Sequence, residues 1–113
     1  MRFRVIVTET AAQELVSAAD WWAENRSVEQ ARDWYAGFSE AIRSLSKNPE
    51  RFPICPENNK FHYQIRELHY GIGKRPTHRA IFTIADDYLV ILKIRHHAQR
   101  DLDEDDLPTV PTK

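Results

Sequence analysis

The 113-residue chain is poor in cysteine and glycine and has no long apolar run: it contains Cys55 alone, three glycines, and a longest apolar stretch that covers only residues 88–92. A single cysteine excludes an internal disulfide and a multi-cysteine zinc site, and it is typical of a reducing compartment. The apolar stretch is far shorter than the roughly 20 residues of a membrane-spanning helix. The N-terminus also lacks the apolar core of a signal peptide. We therefore expect a cytoplasmic protein that has no contact with membranes.

The formal net charge of -1 conceals an uneven distribution of charge along the chain. Residues 51–100 carry nine Lys and Arg against four Asp and Glu, whereas residues 101–113 carry one Lys against five acidic residues. This asymmetry suggests that the second half presents a surface for a polyanion or an acidic partner. The alternative is an ordinary solvated face.

The composition, with 42% hydrophobic residues, predicts one domain with one core. We place this domain at residues 1–100. Residues 101–113 combine five acidic residues with Pro108 and Pro111, so they have nothing to bury and we expect an acidic, disordered tail.

The spacing of apolar residues predicts the order β-α-α-β-β-β. Residues 2–8 alternate like a half-buried strand. Apolar residues at three- and four-residue spacing then predict two helices, the first capped by Thr8 or Thr10 and ending near Asn25, the second capped by Ser27. Three β-rich segments follow, at residues 63–70, 78–85 and 88–96. The predicted fold class is α+β: an N-terminal strand, an antiparallel helix hairpin, and a three-strand antiparallel meander in one mainly antiparallel sheet. The side chains predicted to form the buried stripe of the hairpin are Leu15, Trp22, Trp34, Phe38, Ile42 and Leu45.

The alternation of side chains along a strand assigns charged residues to sheet faces. In the last strand it groups residues 90, 92, 94 and 96 on the face that we assign to the helices. Lys93 and Arg95 then lie on an open face, together with Arg79 from the preceding strand and Arg4 from the first strand. Cations gathered on an open sheet face are suited to phosphate contact. The alternative is that they are rim charges without a ligand.

Further cations and histidines complete the candidate site. Arg66 precedes Glu67 in a strand, and its position does not determine which face of the sheet it lies on. Lys74 and Arg75 form a basic turn that is either a plain hairpin connection or a weak phosphate-binding loop. His96 ends the last strand, where it is suited either to acid or base catalysis of RNA cleavage or to a purely structural hydrogen bond. The remaining histidines lack metal-ligand spacing, so we predict neither a metal ion nor a cofactor.

Over about residues 1–102 the chain resembles the toxins of the RelE/ParE superfamily. The segments that carry the resemblance are residues 5–8 (VIVT) before an Ala-rich helix, the helix hairpin, and residues 48–53 (NPERFP), 65–68 (IREL), 78–84 (HRAIFTI) and 90–96 (VILKIRH). Each segment has low specificity by itself, but the shared order and spacing of the segments make the family assignment fairly specific. The fold of the family agrees with the order of elements above.

The resemblance implies the toxin of a bacterial type II toxin-antitoxin pair, a plasmid-stabilization system in which a cognate antitoxin wraps the toxin and neutralises it. RelE-like members are metal-independent endoribonucleases that cleave messenger RNA in the ribosome, and ParE-like members inhibit growth by poisoning DNA gyrase without known catalysis. By this resemblance Arg66, Arg79 and Arg95 correspond to basic residues of RelE-like nucleases. The tyrosine that such nucleases often carry after the last strand is absent here, so only His96 or His97 could replace it.

Three interpretations therefore stay open: a nuclease, a gyrase inhibitor, or a non-toxic homologue that serves only as an antitoxin-binding regulatory module. The candidate site residues are assigned from the nuclease and gyrase-inhibitor interpretations. Arg66, Arg79, Arg95 and His96 are the candidate catalytic residues, and Arg4, Lys74, Arg75 and Lys93 are the candidate target-binding residues. A homodimer or a toxin-antitoxin hetero-oligomer is compatible with either.

Overall fold

The computed structural model describes residues 2–108. Its strands and helices, in chain order, are β1 (Arg4–Val7), α1 (Glu9–Asn25), α2 (Val28–Arg43), β2 (Arg66–Tyr70), β3 (His78–Ile84) and β4 (Tyr88–His96). The four strands form one sheet in the order β1-β4-β3-β2, in which β1 runs parallel to β4 and the other neighbours are antiparallel. The predicted α+β fold is confirmed. Within residues 2–108, no helix has the length and apolar character needed to cross a membrane.

The helix hairpin begins at local caps that the sequence encodes. The hydroxyl of Thr8, rather than that of Thr10, accepts the amide of Ala11 at 3.1 Å, and the hydroxyl of Ser27 accepts the amide of Gln30 at 3.0 Å. Each hydroxyl satisfies an amide that has no partner within its helix. Because only residues 26 and 27 separate α1 from α2, the two helices fold back on each other.

The first hydrophobic core lies between the helix hairpin and one face of the sheet. Trp34, Phe38 and Leu45 are completely buried there, and Leu15 and Ile42 are nearly so, as predicted. Trp22 is only half-buried. The sheet contributes side chains from β2, β3 and β4 to this core: Leu68, Ala80, Phe82, Leu89, Ile91 and Ile94.

The opposite face of the sheet is covered rather than open, which corrects the prediction from strand alternation. Here Ile81, Val90 and Leu92 form a second core with side chains from the loop before β2 and from the C-terminal residues. The covering side chains are Cys55, Ile65, Leu102 and Leu107.

The expectation that the chain has nothing to bury after Asp101 is wrong for the described residues. Leu102 is 0% exposed and Leu107 is 6% exposed in the second core. The Lys60 ammonium donates to the Leu102 carbonyl at 2.8 Å, and the Tyr63 hydroxyl donates to the Pro108 carbonyl at 2.6 Å. We call residues 101–108 the C-terminal strap. The rest of the predicted tail, residues 109–113, lies outside the described residues.

A β-bulge in β4 explains why the predicted faces are only partly correct. Ile81 pairs with Lys93 but the next residue, Phe82, pairs with Ile91, so Leu92 is an extra residue in the ladder. Alternation is therefore interrupted at Leu92. Residues 89 and 91 face the helices and residues 90 and 92 face the second core, opposite to the prediction, whereas Ile94 faces the helices as predicted.

Candidate functional site

The centre of the covered face is a buried ion-pair network around Arg79. The Arg79 guanidinium donates to Glu67 at 2.7 Å and makes two hydrogen bonds to the carboxylate of Glu57. Glu57 also accepts the backbone amide of Leu102 at 2.9 Å. The Arg79 side chain is 11% exposed and is enclosed by two nearly buried carboxylates. Arg79 thus links the loop, the sheet and the C-terminal strap, and its charge is balanced within the protein.

The pKa values of Glu57 and Arg79 keep both of these side chains ionised. Burial alone would raise the pKa of Glu57, but the hydrogen bonds from Arg79 and from the Leu102 amide lower it to about 2. Burial also opposes the charge of Arg79, yet its hydrogen bonds to Glu57 and Glu67 outweigh this and raise its pKa above the ordinary value. The ion pair between Glu57 and Arg79 is therefore intact at neutral pH.

Arg95 lies directly opposite Arg79 in the β3–β4 register, so the two arginines share one face. Arg95 is only 4% exposed, and its guanidinium donates to the carbonyl of Arg100. Its Nε has no hydrogen-bond partner among the described residues. Arg95 therefore fixes the turn that leads into the C-terminal strap rather than facing a ligand.

Two more of the candidate cations are bound to neighbouring elements. The Lys93 ammonium lies 2.7 Å from the Glu14 carboxylate of α1, which also accepts the amide of Ile94 at 3.0 Å. Arg66 donates to the carbonyls of Glu50 and Phe52, at 3.0 and 2.6 Å, and so holds the loop before β2. Neither side chain joins Arg79.

The other three candidate cations are exposed. The Arg4 guanidinium lies 5.7 Å from the centre of the Tyr88 ring, in the distance range of a cation–π contact. Lys74 and Arg75 lie exposed in the connection between β2 and β3. None of them lines the cavity beside Arg79.

His96 pairs with His78 at the end of β4, one position beyond Arg95 in the register. Its Nδ1 accepts the amide of Ala98 at 2.9 Å, and its ring centre is 4.9 Å from that of His78. His78 is buried, and burial together with the nearby His96 and His97 lowers its pKa to about 4. His96 nevertheless also lines the small cavity beside Arg79, so the structure brings these two candidate residues to one cavity.

His96 and His78 also border a largely apolar groove of about 890 Å³ beside α1. Trp21, which is 50% exposed, and Trp22 contribute aromatic surface to it. The remaining lining residues are Thr10, Gln13, Glu14, Ser17, Ala18, Arg26, Thr77, Ile94 and Gln99. A groove of this size with two tryptophans is suited to an apolar segment of a partner.

A smaller cavity of about 300 Å³ adjoins Arg79 and contains a histidine pair that the sequence analysis missed. Nδ1 of His69 lies 3.0 Å from Nε2 of His97, and Nε2 of His69 lies 3.2 Å from Glu67. Burial and the neighbouring His69 lower the pKa of His97. The alternation of β2 places Glu67 and His69 on one face, but the contact with His97 depends on how β2, β3 and β4 pair.

The comparisons with known proteins agree with the fold. Residues 5–101 match the family model described as the ParE toxin of the type II toxin-antitoxin system parDE. A solved structure titled "Chromosomal ParDE TA system from P. aeruginosa" is similar to the chain with a TM-score of 0.67 and 20% sequence identity. The similarity covers 84% of this chain and 96% of that chain. A comparison with curated proteins finds no match.

Proposed function

Because the chain belongs to the ParE toxin family of type II toxin-antitoxin systems, we propose that it inhibits bacterial growth by acting on DNA gyrase. It does so without cleaving RNA, and a cognate antitoxin neutralises it. The observation on which we base the choice of gyrase is that the Arg79 guanidinium is paired with Glu57 and Glu67 inside the protein.

A metal-independent ribonuclease needs cations and an acid or base within reach of one phosphate. Among the four candidate catalytic residues, Arg79 is neutralised, Arg95 is buried on the carbonyl of Arg100, and Arg66 binds loop carbonyls. His96 borders both the groove beside α1 and the small cavity beside Arg79, and its Nδ1 already accepts the amide of Ala98. Moving Arg79 onto a phosphate would leave two nearly buried carboxylates unpaired, which costs several kcal/mol. This arrangement favours a target that is inhibited by binding rather than cleaved.

The apolar groove beside α1 is the proposed docking site of the antitoxin. The exposed half of Trp21 gives it an aromatic anchor, since large aromatic side chains dominate many protein interfaces. Arg26 lies at the same groove and approaches the Trp21 ring at 5.8 Å. We expect the antitoxin to place an apolar segment against Trp21 and an acidic side chain near Arg26.

Expression in a bacterial host, with and without the open reading frame that neighbours this gene, tests the proposal. We expect filamentation and a DNA-damage response without the antitoxin, and normal growth with it. Early arrest of translation together with cut messenger RNA would contradict the choice of gyrase. Normal growth without the antitoxin would identify a non-toxic homologue.

A variant of the groove separates the antitoxin from the target. Trp21→Ala should weaken antitoxin binding by at least tenfold, as measured by calorimetry on the purified pair, because it removes the aromatic anchor. Val16→Ala is the matched control, since Val16 is 48% exposed on the same helix but does not line the groove. Equal affinities of the two variants would place the antitoxin elsewhere.

A further inference from the structure

Two histidines that are 28 residues apart in the chain converge beside the Arg79 network. His69 lies in β2 and His97 directly follows β4. Their ring centres are 5.0 Å apart, and Nδ1 of His69 and Nε2 of His97 are 3.0 Å apart. Both side chains border the 300 Å³ cavity and both are exposed to solvent.

The carboxylate of Glu67, which is held by Arg79, lies next to the ring of His69. Glu67 lies 3.2 Å from Nε2 of His69, and Arg79 holds the other oxygen of this carboxylate at 2.7 Å. The carboxylate thus lies on the Nε2 side of the His69 ring, and the Nδ1 side of the ring is next to Nε2 of His97. Histidines that bind metal ions are typically oriented by such a carboxylate.

We propose that Nδ1 of His69 and Nε2 of His97 bind one divalent transition-metal ion, with copper(II) and nickel(II) preferred over zinc. Metal–nitrogen bonds of about 2.0 to 2.1 Å to two atoms 3.0 Å apart subtend an angle of roughly 91 to 97° at the metal. That angle matches the tetragonal coordination of copper(II) and nickel(II) and is narrower than the tetrahedral angle that structural zinc sites adopt.

The charges around the cavity favour a cation over a phosphate. Its lining contains three carboxylates, those of Glu57, Glu67 and Asp101, against the single guanidinium of Arg79. An anion would be repelled by this net negative charge, whereas a divalent cation is attracted. Within residues 2–108 no three ligating side chains form a ready metal cluster. Water therefore completes the coordination shell, and the ion is exchangeable. This site does not depend on the proposed toxic function.

The test is a titration of the untagged, full-length protein with copper(II), nickel(II) and zinc(II), followed by calorimetry and, for copper, by electron paramagnetic resonance. We expect one saturable copper site with two coordinated nitrogens. His69→Ala and His97→Ala should each lower the affinity at least tenfold. Glu67→Gln should lower it roughly 10- to 100-fold while both ligands remain. Melting curves without metal identify any variant that has lost its fold.

His62→Ala is the matched control, because His62 is exposed but does not line the cavity. It should bind copper like the unmodified protein. The proposal is overturned if copper binding is absent, if it survives the combined replacement of His69 and His97, or if His62→Ala weakens it as much as His97→Ala does.

Discussion

Arg79 illustrates how the environment of one residue decides between two functions. In the sequence it is a cation on a strand that is rich in apolar residues, which suits phosphate contact. In the folded protein its guanidinium is shared by Glu57 and Glu67, and the same network reaches the Leu102 amide. An arginine bound in this way stabilises the fold.

Arg79→Ala should therefore act mainly on stability. Removing one partner leaves the carboxylates of Glu57 and Glu67 buried without a counter-charge, for which we expect a loss of about 3 to 5 kcal/mol in the free energy of unfolding. Urea denaturation measures this loss. Arg75→Ala, an exposed control, should change stability by no more than about 0.5 kcal/mol. A stable Arg79→Ala protein that no longer arrests growth would instead favour a direct role in the target complex.

The low pKa of Glu57 predicts how stability depends on pH. Because the folded state lowers this pKa from its ordinary value of 4.5 to about 2, the contribution is complete above about pH 4.5 and is lost as the pH falls toward 2. The full contribution is on the order of 3 kcal/mol. Urea denaturation at pH 6 and at pH 3 should show a larger loss for the unmodified protein than for Glu57→Gln. Equal losses would rule out this linkage.

At the scale of elements, local signals explain what the sequence predicts correctly. The helix hairpin is determined by the hydroxyl caps of Thr8 and Ser27 and by an apolar stripe, all of which act within a few residues. The bulge at Leu92 is different, because strand alternation assumes an uninterrupted ladder. The pair formed by His69 and His97 likewise depends on strand register, which one strand alone does not define.

The burial of the C-terminal strap is not predictable from the local sequence, for a related reason. Leu102 and Leu107 are isolated apolar residues among five acidic ones, and such a composition is typical of disorder. Their burial depends on a second core that the sheet and the loop before β2 create. The C-terminal strap and the loop before β2 together cover the sheet face on which the sequence predicts phosphate contact.

Leu102→Ala tests the contribution of the strap. Leu102 is completely buried, so we expect its truncation to lower the free energy of unfolding by about 2 to 5 kcal/mol in urea denaturation. Asp105→Ala, an exposed position on the same strap, should change it by less than about 0.5 kcal/mol. If both variants unfold at the same urea concentration, the strap contributes no packing energy.

At the scale of the whole molecule, the sheet is enclosed on both faces, by the helix hairpin on one side and by the loop and the C-terminal strap on the other. Two concave surfaces of the described residues that a partner can reach are the groove beside α1 and the small cavity next to Arg79. The proposed inhibition by contact agrees with this arrangement, because the guanidinium groups of Arg66, Arg79 and Arg95 are all bound within the protein.

The most direct measurement adds the purified protein to DNA gyrase with plasmid DNA and, separately, to ribosomes translating a defined messenger RNA. We predict inhibited supercoiling or trapped gyrase–DNA cleavage complexes, with intact messenger RNA. Adding the antitoxin should restore gyrase activity. Cleavage of the messenger RNA by the protein, together with unaffected gyrase, would contradict the account.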